Sequence, residues 1–137
     1  MTDVFPREKR SWIMGRIKGR DTKPEILVRS LVHRMGYRFR VHRRDLPGNP
    51  DLVLPLRSKV IFVHGCFWHG HKRCPRSKRP TTNEDFWNDK LDKNIARDKR
   101  FQKQLAGLGW KTLVVWQCET KNIPRLLSKL EEFFNDK

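Results

Sequence analysis

The spacing of apolar positions in the first third of the chain predicts one amphipathic helix. Leu27, Leu31 and Met35 recur every four residues, so a helix is predicted from about Thr22 to Met35. Thr22 is the expected N-cap, and Glu25 follows it at the spacing of a capping box.

Period-two patterns then predict three strands. Apolar side chains at 37, 39 and 41 alternate with basic ones at 38, 40 and 42, which is typical of a half-buried strand. A turn-rich loop at residues 46–50 leads into a short buried strand at 51–54. The next strand, at 60–63, follows after a turn. The last two strands are expected to pair as an antiparallel hairpin in the centre of a sheet.

The second half of the chain predicts two more helices and one more strand. A long helix is expected from about residue 84, capped by Thr82 or Asn83 and ended by the glycines around Leu108. An apolar strand at 111–116 precedes a final helix capped by Asn122. The order helix, three strands, helix, strand, helix indicates an α/β fold, with a mixed central sheet flanked by helices. Residues 21–137 are expected to form one domain.

Composition places the protein among folded proteins of the cytoplasm. Only 36% of its 137 residues are hydrophobic and 34% are charged, but 10% are aromatic and the apolar periodicities are clear. No window holds the roughly 18 apolar residues that a membrane span needs. The charged N-terminus lacks the apolar core of a signal peptide.

The formal net charge of +16 is spread along the whole chain. Such a surface attracts polyanions, and nucleic acid is the expected partner because no amphipathic anchor or lipidation motif supports a membrane. Residues 1–20 are interpreted as a short arm that orders against this partner; a frayed terminus explains them equally well.

Two cysteines and three histidines in residues 64–74 suggest a structural zinc site. Cys66, Cys74 and one histidine make three ligands, and Cys118, at the end of the 111–116 strand, is expected to supply the fourth. Spacing favours His71 but leaves His69 open as the histidine ligand. Three unlinked thiols are the alternative, although this polar loop has no apolar periodicity and is long enough to need a tether.

Pro50 and Asp51 open the first strand of the predicted hairpin. A carboxylate at this place is typical of PD-(D/E)xK nucleases, in which it holds Mg²⁺ against the scissile phosphate. The second strand of the hairpin carries neither the acidic residue nor the lysine of that motif. The pair alone is therefore a weak indication.

A longer series of motifs carries a family resemblance. The runs Asn49-Pro50-Asp51, VIFVHGCFWHGH with Cys74, Phe86-Trp87, NIARDKR, Gly109-Trp110 and VVWQC together resemble the Vsr endonucleases, from about Arg16 to Cys118. The resemblance implies a PD-(D/E)xK restriction-endonuclease-like fold. It also implies a nick on the 5′ side of the mispaired thymine in T·G mismatches of double-stranded DNA. Such mismatches arise from deaminated 5-methylcytosine, and the nick begins very short patch repair.

The resemblance also assigns roles to residues. Asp51 would be the principal Mg²⁺ ligand, the main-chain carbonyl of Val63 a second ligand, and His69 the general base. The zinc ligands would be Cys66, His71, Cys74 and Cys118. Val63 stands where a threonine is familiar, and the segment between His71 and Cys74 is one residue longer than in the best-known member.

Three further polar residues each have a functional and a structural interpretation. Glu25 is either a catalytic or outer-sphere metal group or simply part of the capping box. His64 orients the phosphate or completes the hydrogen bonding of the strand end, and the resemblance favours the first. Asp98 pairs with His69 and sets its tautomer, or is a solvated charge on the long helix.

Phe67 and Trp68 are consecutive aromatic residues in a polar loop, where no periodicity would bury them. Flat side chains of this kind can wedge between base pairs, and a mismatched pair costs less to unstack. The resemblance adds Trp87, Met14 on the N-terminal arm, and Asn94 to the DNA-binding residues. Trp87 also begins the apolar face of its helix, so a core position is its alternative.

Two other functions fit parts of this pattern. A nuclease of the same superfamily without T·G specificity would explain the charge and Asp51. A zinc-stabilised DNA-binding module without catalysis would explain the charge, the aromatic residues and the cysteines. Nicking of one strand needs one active site, so a monomer is expected, and mismatch-repair proteins are further partners that the resemblance suggests.

Overall fold

The computed structural model describes residues 21–135, which form three helices around a three-stranded sheet. The elements are helix α1 (Lys23–Arg34), strands β1 (Leu52–Leu54) and β2 (Lys59–His64), helix α2 (Glu84–Gly107), strand β3 (Lys111–Trp116) and helix α3 (Ile123–Asn135). Short 3-10 turns occupy Pro55–Arg57, Pro75–Ser77 and Gln117–Lys121. The predicted N-terminal arm, including Met14, lies outside the described residues.

The sheet has the order β1-β2-β3 and mixed strand directions. β1 pairs antiparallel with β2, with Leu52 opposite Ile61, which confirms the predicted hairpin. β3 pairs parallel with β2, and His64 lies opposite Trp116 at the shared end. Parallel neighbours need a long crossover, and α2 is part of it. The predicted mixed α/β architecture is confirmed.

The strand predicted at residues 37–42 is wrong. Burial alternates there as expected, but only Arg40 exchanges backbone hydrogen bonds with Val53 of β1, at 2.8 and 2.9 Å. His42 has a φ of 59°, a left-handed conformation that ends the extended run. The alternation of apolar and basic residues therefore indicates that one face of this segment packs on the core. It does not indicate a strand that forms a ladder of hydrogen bonds with β1.

Capping at the start of α1 differs in detail from the capping box. Thr22 Oγ1 accepts a hydrogen bond from the Glu25 amide at 3.4 Å, as predicted. The Glu25 carboxylate reaches back one residue further than expected and accepts from the Asp21 amide at 2.7 Å. At α2, Asn83 is the N-cap residue but makes no side-chain capping bond.

Apolar side chains cover both faces of the sheet. On one face α1 and α3 pack against the strands, and the buried residues there include Val28, Val32, Leu52, Ile61, Val115, Leu126 and Leu130. On the other face Leu105 of α2 packs with Val53, Val60 and Phe62. Burying each such side chain stabilises the fold by about 1.5–3 kcal/mol. In residues 21–135 no helix is both long and apolar enough to cross a membrane.

Candidate active site

An open cleft lies beside the end of the sheet where β2 ends and β1 begins. Its cavity volume is about 1100 Å³. Helix α2 forms one wall of the cleft. Side chains one to three turns apart on one face of a helix point in the same direction, so several of them reach the cleft together. Residues predicted for the site that line this cleft are Glu25, Asp51, Val63, His64, Trp68, His69, Asn94 and Asp98.

Asp51 lies just before β1 and faces the end of β2. Its Oδ2 accepts a hydrogen bond from the Val63 amide at 2.6 Å. In a strand the N–H and C=O of one residue point to the same side, so the Val63 carbonyl also faces the β1 side. The pairing of β1 with β2 ends at Leu52, which lies opposite Ile61. The Val63 carbonyl therefore lies beyond the residues of β2 that pair with β1. One carboxylate and one carbonyl are oxygen donors of the kind that Mg²⁺ binds.

The environment of Asp51 opposes its ionisation. Burial is the main cause that raises the pKa of Asp51 to about 7. The nearby Glu25 carboxylate also raises this pKa, whereas the Val63 amide, Arg29 and His69 lower it. A divalent cation at this carboxylate would offset the cost of the buried charge.

His69 and Asp98 form a close pair in the cleft. His69 Nδ1 lies 2.5 Å from Asp98 Oδ2, and both side chains are largely buried. A carboxylate at Nδ1 favours the tautomer that carries its proton there, which leaves Nε2 as an acceptor. Asp98 is therefore not a solvated helix charge.

His64, at the end of β2, stacks on His69 with ring centroids 3.9 Å apart and planes 9° from parallel. Only 6% of the surface of His64 is exposed. Burial, together with the nearby His69, lowers the pKa of His64 to about 4, while Asp98 opposes the shift. His64 is thus a neutral imidazole at physiological pH.

Glu25 combines its capping contact with a place in the cleft wall. It is 6% exposed, and its Oε2 accepts from the Asp21 amide and lies 3.3 Å from Arg29 Nη2. Arg29 also contacts the Asp21 carboxylate, at 2.7 Å. The capping role of Glu25 is present in the structure, and its charge is close enough to influence Asp51.

Four predicted zinc ligands converge beside the cleft. The ligand atoms of Cys66, His71, Cys74 and Cys118 all lie within 4.8 Å of one another. Three thiols and one imidazole are a donor set suited to tetrahedral zinc. Of the two histidines that spacing left open, His71 belongs to this cluster and His69 to the pair with Asp98.

Backbone conformation closes the segment between His71 and Cys74. Arg73 has a φ of 61°, which turns the chain back so that the Cys74 amide reaches the His71 carbonyl at 3.4 Å. Ser77 Oγ ties the same loop by donating to the His71 and Cys74 carbonyls at 2.7 and 2.8 Å.

The thiols of the cluster influence one another's ionisation. Desolvation, followed by the neighbouring Cys66 and Cys74, raises the pKa of Cys118 to about 12. For Cys74 desolvation is also the largest effect, but hydrogen bonds from the Arg76 amide and the other two thiols outweigh it and lower the pKa. Three thiols this close are not easily ionised together unless a cation joins them.

An aromatic cluster of Phe67, Trp68 and Trp87 reaches the cleft through Trp68, which lines it. Phe67 meets Trp68 at 5.2 Å and Trp87 at 5.6 Å between ring centroids, both edge-to-face. All three side chains are partly exposed. Trp87 contacts the loop aromatics and does not join the two core clusters of the described residues. Asn94 donates to the Trp68 carbonyl at 3.3 Å, so it holds this loop.

Among the residues near the site to which sequence reasoning gave no role are Arg29, Trp116 and Phe86. Arg29 lies one turn from Glu25, a spacing that indicates an ion pair but not its place beside Asp51. Trp116 stacks on His71 at 4.2 Å, although its motif, VVWQC, was noted only for the resemblance. Phe86 is 59% exposed and lies edge-on to Trp87 at 5.2 Å.

Comparison with known proteins gives one consistent family. The family model for DNA mismatch endonuclease Vsr matches residues 2–76. The chain is 47% identical over 135 residues to the type II nicking enzyme V.XorIIP of Xanthomonas oryzae pv. oryzae, covering 98% of both chains. It is 43% identical over 126 residues to the DNA mismatch endonuclease Vsr of Escherichia coli (strain K12), covering 92% of this chain and 80% of that relative. The chain therefore belongs to the Vsr family of DNA mismatch endonucleases.

Proposed function

We propose that this protein is a Mg²⁺-dependent endonuclease that nicks double-stranded DNA on the 5′ side of the mispaired thymine in a T·G mismatch. Such a nick would start very short patch repair of deaminated 5-methylcytosine. The main support is one observation: the Asp51 carboxylate and the His69–Asp98 pair line the same cleft as Trp68, which belongs to the aromatic cluster.

Different residues of the chain would carry out different parts of the proposed reaction. Asp51 and the Val63 carbonyl would bind Mg²⁺, which supplies positive charge that polarises the scissile phosphate. His69 would take a proton from the attacking water at Nε2, because Asp98 holds Nδ1. His64 is neutral and would orient a phosphate oxygen by hydrogen bonding. Glu25 would act in the outer sphere of the metal.

Zinc would have a structural role. Cys66, His71, Cys74 and Cys118 would bind it, joining the loop after β2 to the end of β3. Residues 65–83 contain one short 3-10 turn and otherwise irregular structure, so a cross-link compensates for few backbone hydrogen bonds.

Mismatch recognition is assigned to the aromatic cluster. Phe67, Trp68 and Trp87 would insert between base pairs, offsetting an unstacking cost of a few kcal/mol per step. A T·G pair costs less to open than a matched pair, which gives selectivity. Met14 would act from the N-terminal arm, and Asn94 would support the loop or reach the bases. Exposed basic residues at 72, 73, 76 and 78 would contact phosphates.

The deciding experiment compares a T·G duplex with its matched T·A counterpart, in the same flanking sequence, with and without Mg²⁺. We expect one nick, in the thymine strand only, with Mg²⁺ and the mismatch both present. Equal cleavage of the two duplexes would indicate a nuclease without T·G specificity. Binding without cleavage in Mg²⁺ would contradict the catalytic assignment.

Trp68→Ala separates recognition from folding. We expect mismatch nicking to fall about 5- to 150-fold, because a stacking aromatic contributes about 1–3 kcal/mol per base. Zinc content and the thermal melt should stay near those of the unmodified protein. A collapsed melting temperature would instead identify Trp68 as a core residue.

Sedimentation should show a monomer, and contact with mismatch-repair proteins is a separate proposal for binding assays.

A further inference from the structure

A column of aromatic rings connects the cysteine–histidine cluster with the His69–Asp98 pair. Trp116 stacks on His71 with centroids 4.2 Å apart and planes 10° from parallel. The same indole meets His64 edge-on at 5.3 Å and 75°. His64 stacks on His69 in turn. Trp116 is therefore the one ring that touches a predicted zinc ligand and a cleft imidazole among the ring contacts within residues 21–135.

The backbone of Trp116 is held from several sides. It is the last residue of β3 and lies opposite His64 in the parallel register. Its amide donates to Glu119 Oε1 at 2.8 Å, and Lys129 pairs with the same carboxylate at 2.7 Å. Cys118 of the cluster follows two residues later. Any shift of this strand end would move the indole and the thiol together.

We propose that Trp116 is a positioning residue that links the zinc cluster to the active site: its indole, fixed by His71, limits how far His64 can tilt. His64 then fixes the plane of His69. This inference rests on the proposed function, since it assigns zinc to the cluster and proton transfer to His69. A displacement of about 1 Å at reacting groups can cost about 100-fold in rate, so a rigid neighbour has a large effect.

The test replaces the indole and uses a second tryptophan as a control. Trp116→Leu removes the flat ring, Trp116→Phe keeps a ring, and Trp110→Phe alters the partly buried tryptophan just before β3, away from the histidines. We expect Trp116→Leu to lower kcat for T·G nicking at least about 10-fold with KM and zinc content unchanged. Trp116→Phe should recover to within about threefold of the unmodified enzyme. Trp110→Phe should leave kcat unchanged.

Nuclear magnetic resonance of the full chain gives a readout that does not need activity. Trp116→Leu should shift and broaden the ring signals of His69, which contacts His64 but not Trp116 itself, and Trp110→Phe should not. Unchanged His69 signals and unchanged kcat in a folded, zinc-loaded Trp116→Leu would overturn the link. Failure of the unmodified protein to nick T·G duplex would contradict the proposed function instead, and the ring signals would still decide the positioning role.

A variant at the other end of the column covers the case in which Trp116→Leu does not fold. His71→Cys keeps four zinc ligands but removes the imidazole that stacks on Trp116. We expect one bound zinc and the same loss of kcat. A fully zinc-loaded His71→Cys with wild-type kcat and unchanged His64 signals would overturn the link.

Discussion

Asp51 illustrates how the position of one carboxylate sets both chemistry and stability. It is held by the Val63 amide at the start of β1, and burial raises its pKa to about 7 from an ordinary value of 3.8. The folded protein therefore keeps a proton that the unfolded chain releases between these two values. The free energy of unfolding of the metal-free protein is therefore undiminished below pH 3.8, falls as the pH rises from 3.8 to about 7, and levels off above that.

Asp51→Asn should consequently stabilise the metal-free protein. Asparagine keeps an acceptor for the Val63 amide but carries no charge to desolvate. At about pH 8 we expect the free energy of unfolding to increase on the order of 4 kcal/mol, with the difference vanishing near pH 3.8. Urea unfolding across this pH range measures the difference. Added Mg²⁺ should reduce this difference in unfolding free energy between the variant and the unmodified protein. The variant should lose nicking activity and keep DNA binding. A variant less stable than the unmodified protein at high pH would contradict this account.

Asp98→Asn tests the orientation of His69. An amide can donate to Nδ1 and so favours the tautomer with its proton on Nε2, where the general base must accept. We expect kcat to fall about 100-fold or more, with the melting temperature changed by only a few degrees. The nitrogen shifts of the His69 ring report the tautomer. If the tautomer of His69 were inverted and kcat stayed at the wild-type value, His69 would not be the group that accepts the proton.

At the scale of elements, α2 carries much of the cleft wall and holds the loops that face it. Asp98 and Asn94 bind His69 and the Trp68 carbonyl. The loop residue after His69 is Gly70, with a φ of 63°, and a Cβ there would overlap Ile95 Cδ1 of α2. A side chain at Gly70 would therefore force the Ile95 side chain to move, and the positive φ would add backbone strain.

Gly70→Ala should push the loop away from α2. We expect stability to fall by about 1–3 kcal/mol and kcat to fall with it, because His69 is the adjacent residue. Gly107→Ala is the matched control: it lies in the last turn of α2 with no atom within 4 Å of a new Cβ. Alanine there should be neutral or stabilise by up to about 1 kcal/mol. Equal effects of the two substitutions on kcat would contradict the close packing at Gly70.

The elements that could be predicted from sequence are those specified locally. Helix α1 has its cap and apolar repeat within a few residues, and the β1–β2 hairpin has two apolar runs around one turn. The strand at 37–42 failed because its hydrogen bonding depends on how much of it meets β1. Two features depend on tertiary packing, which no local sequence pattern contains. Arg29 lies near Asp51, and His69 and His71 belong to different sites.

At the scale of the molecule, a net charge of +16 should dominate affinity. Counterion release makes binding to DNA fall steeply with salt. Between about 50 and 200 mM salt we expect the Kd for duplex DNA to rise at least about 100-fold. The ratio of T·G to matched affinity should change much less, because aromatic insertion involves no net charge. Fluorescence anisotropy with both duplexes measures the two quantities, and a salt-independent Kd would contradict a phosphate-contact surface.

The proposed zinc site should contribute to stability of the whole domain, since it joins the end of β3 to the loop after β2. Removal of zinc by a strong chelator should lower the melting temperature clearly, and re-addition of zinc should restore it. Cys118→Ser should show the same lowering without chelator. Calorimetry with metal analysis checks this, and an unchanged melt after complete metal removal would contradict the structural role.

The parallel pairing of β2 with β3 joins two segments that are synthesised at different times. Asp51, His64 and His69 leave the ribosome well before β3 and Cys118, which supply the neighbour of β2 and the last thiol of the cluster. A nascent chain would thus hold every proposed reacting group before it holds the framework that aligns them. The proposed cutting activity would therefore arise only after β3 and Cys118 have been made.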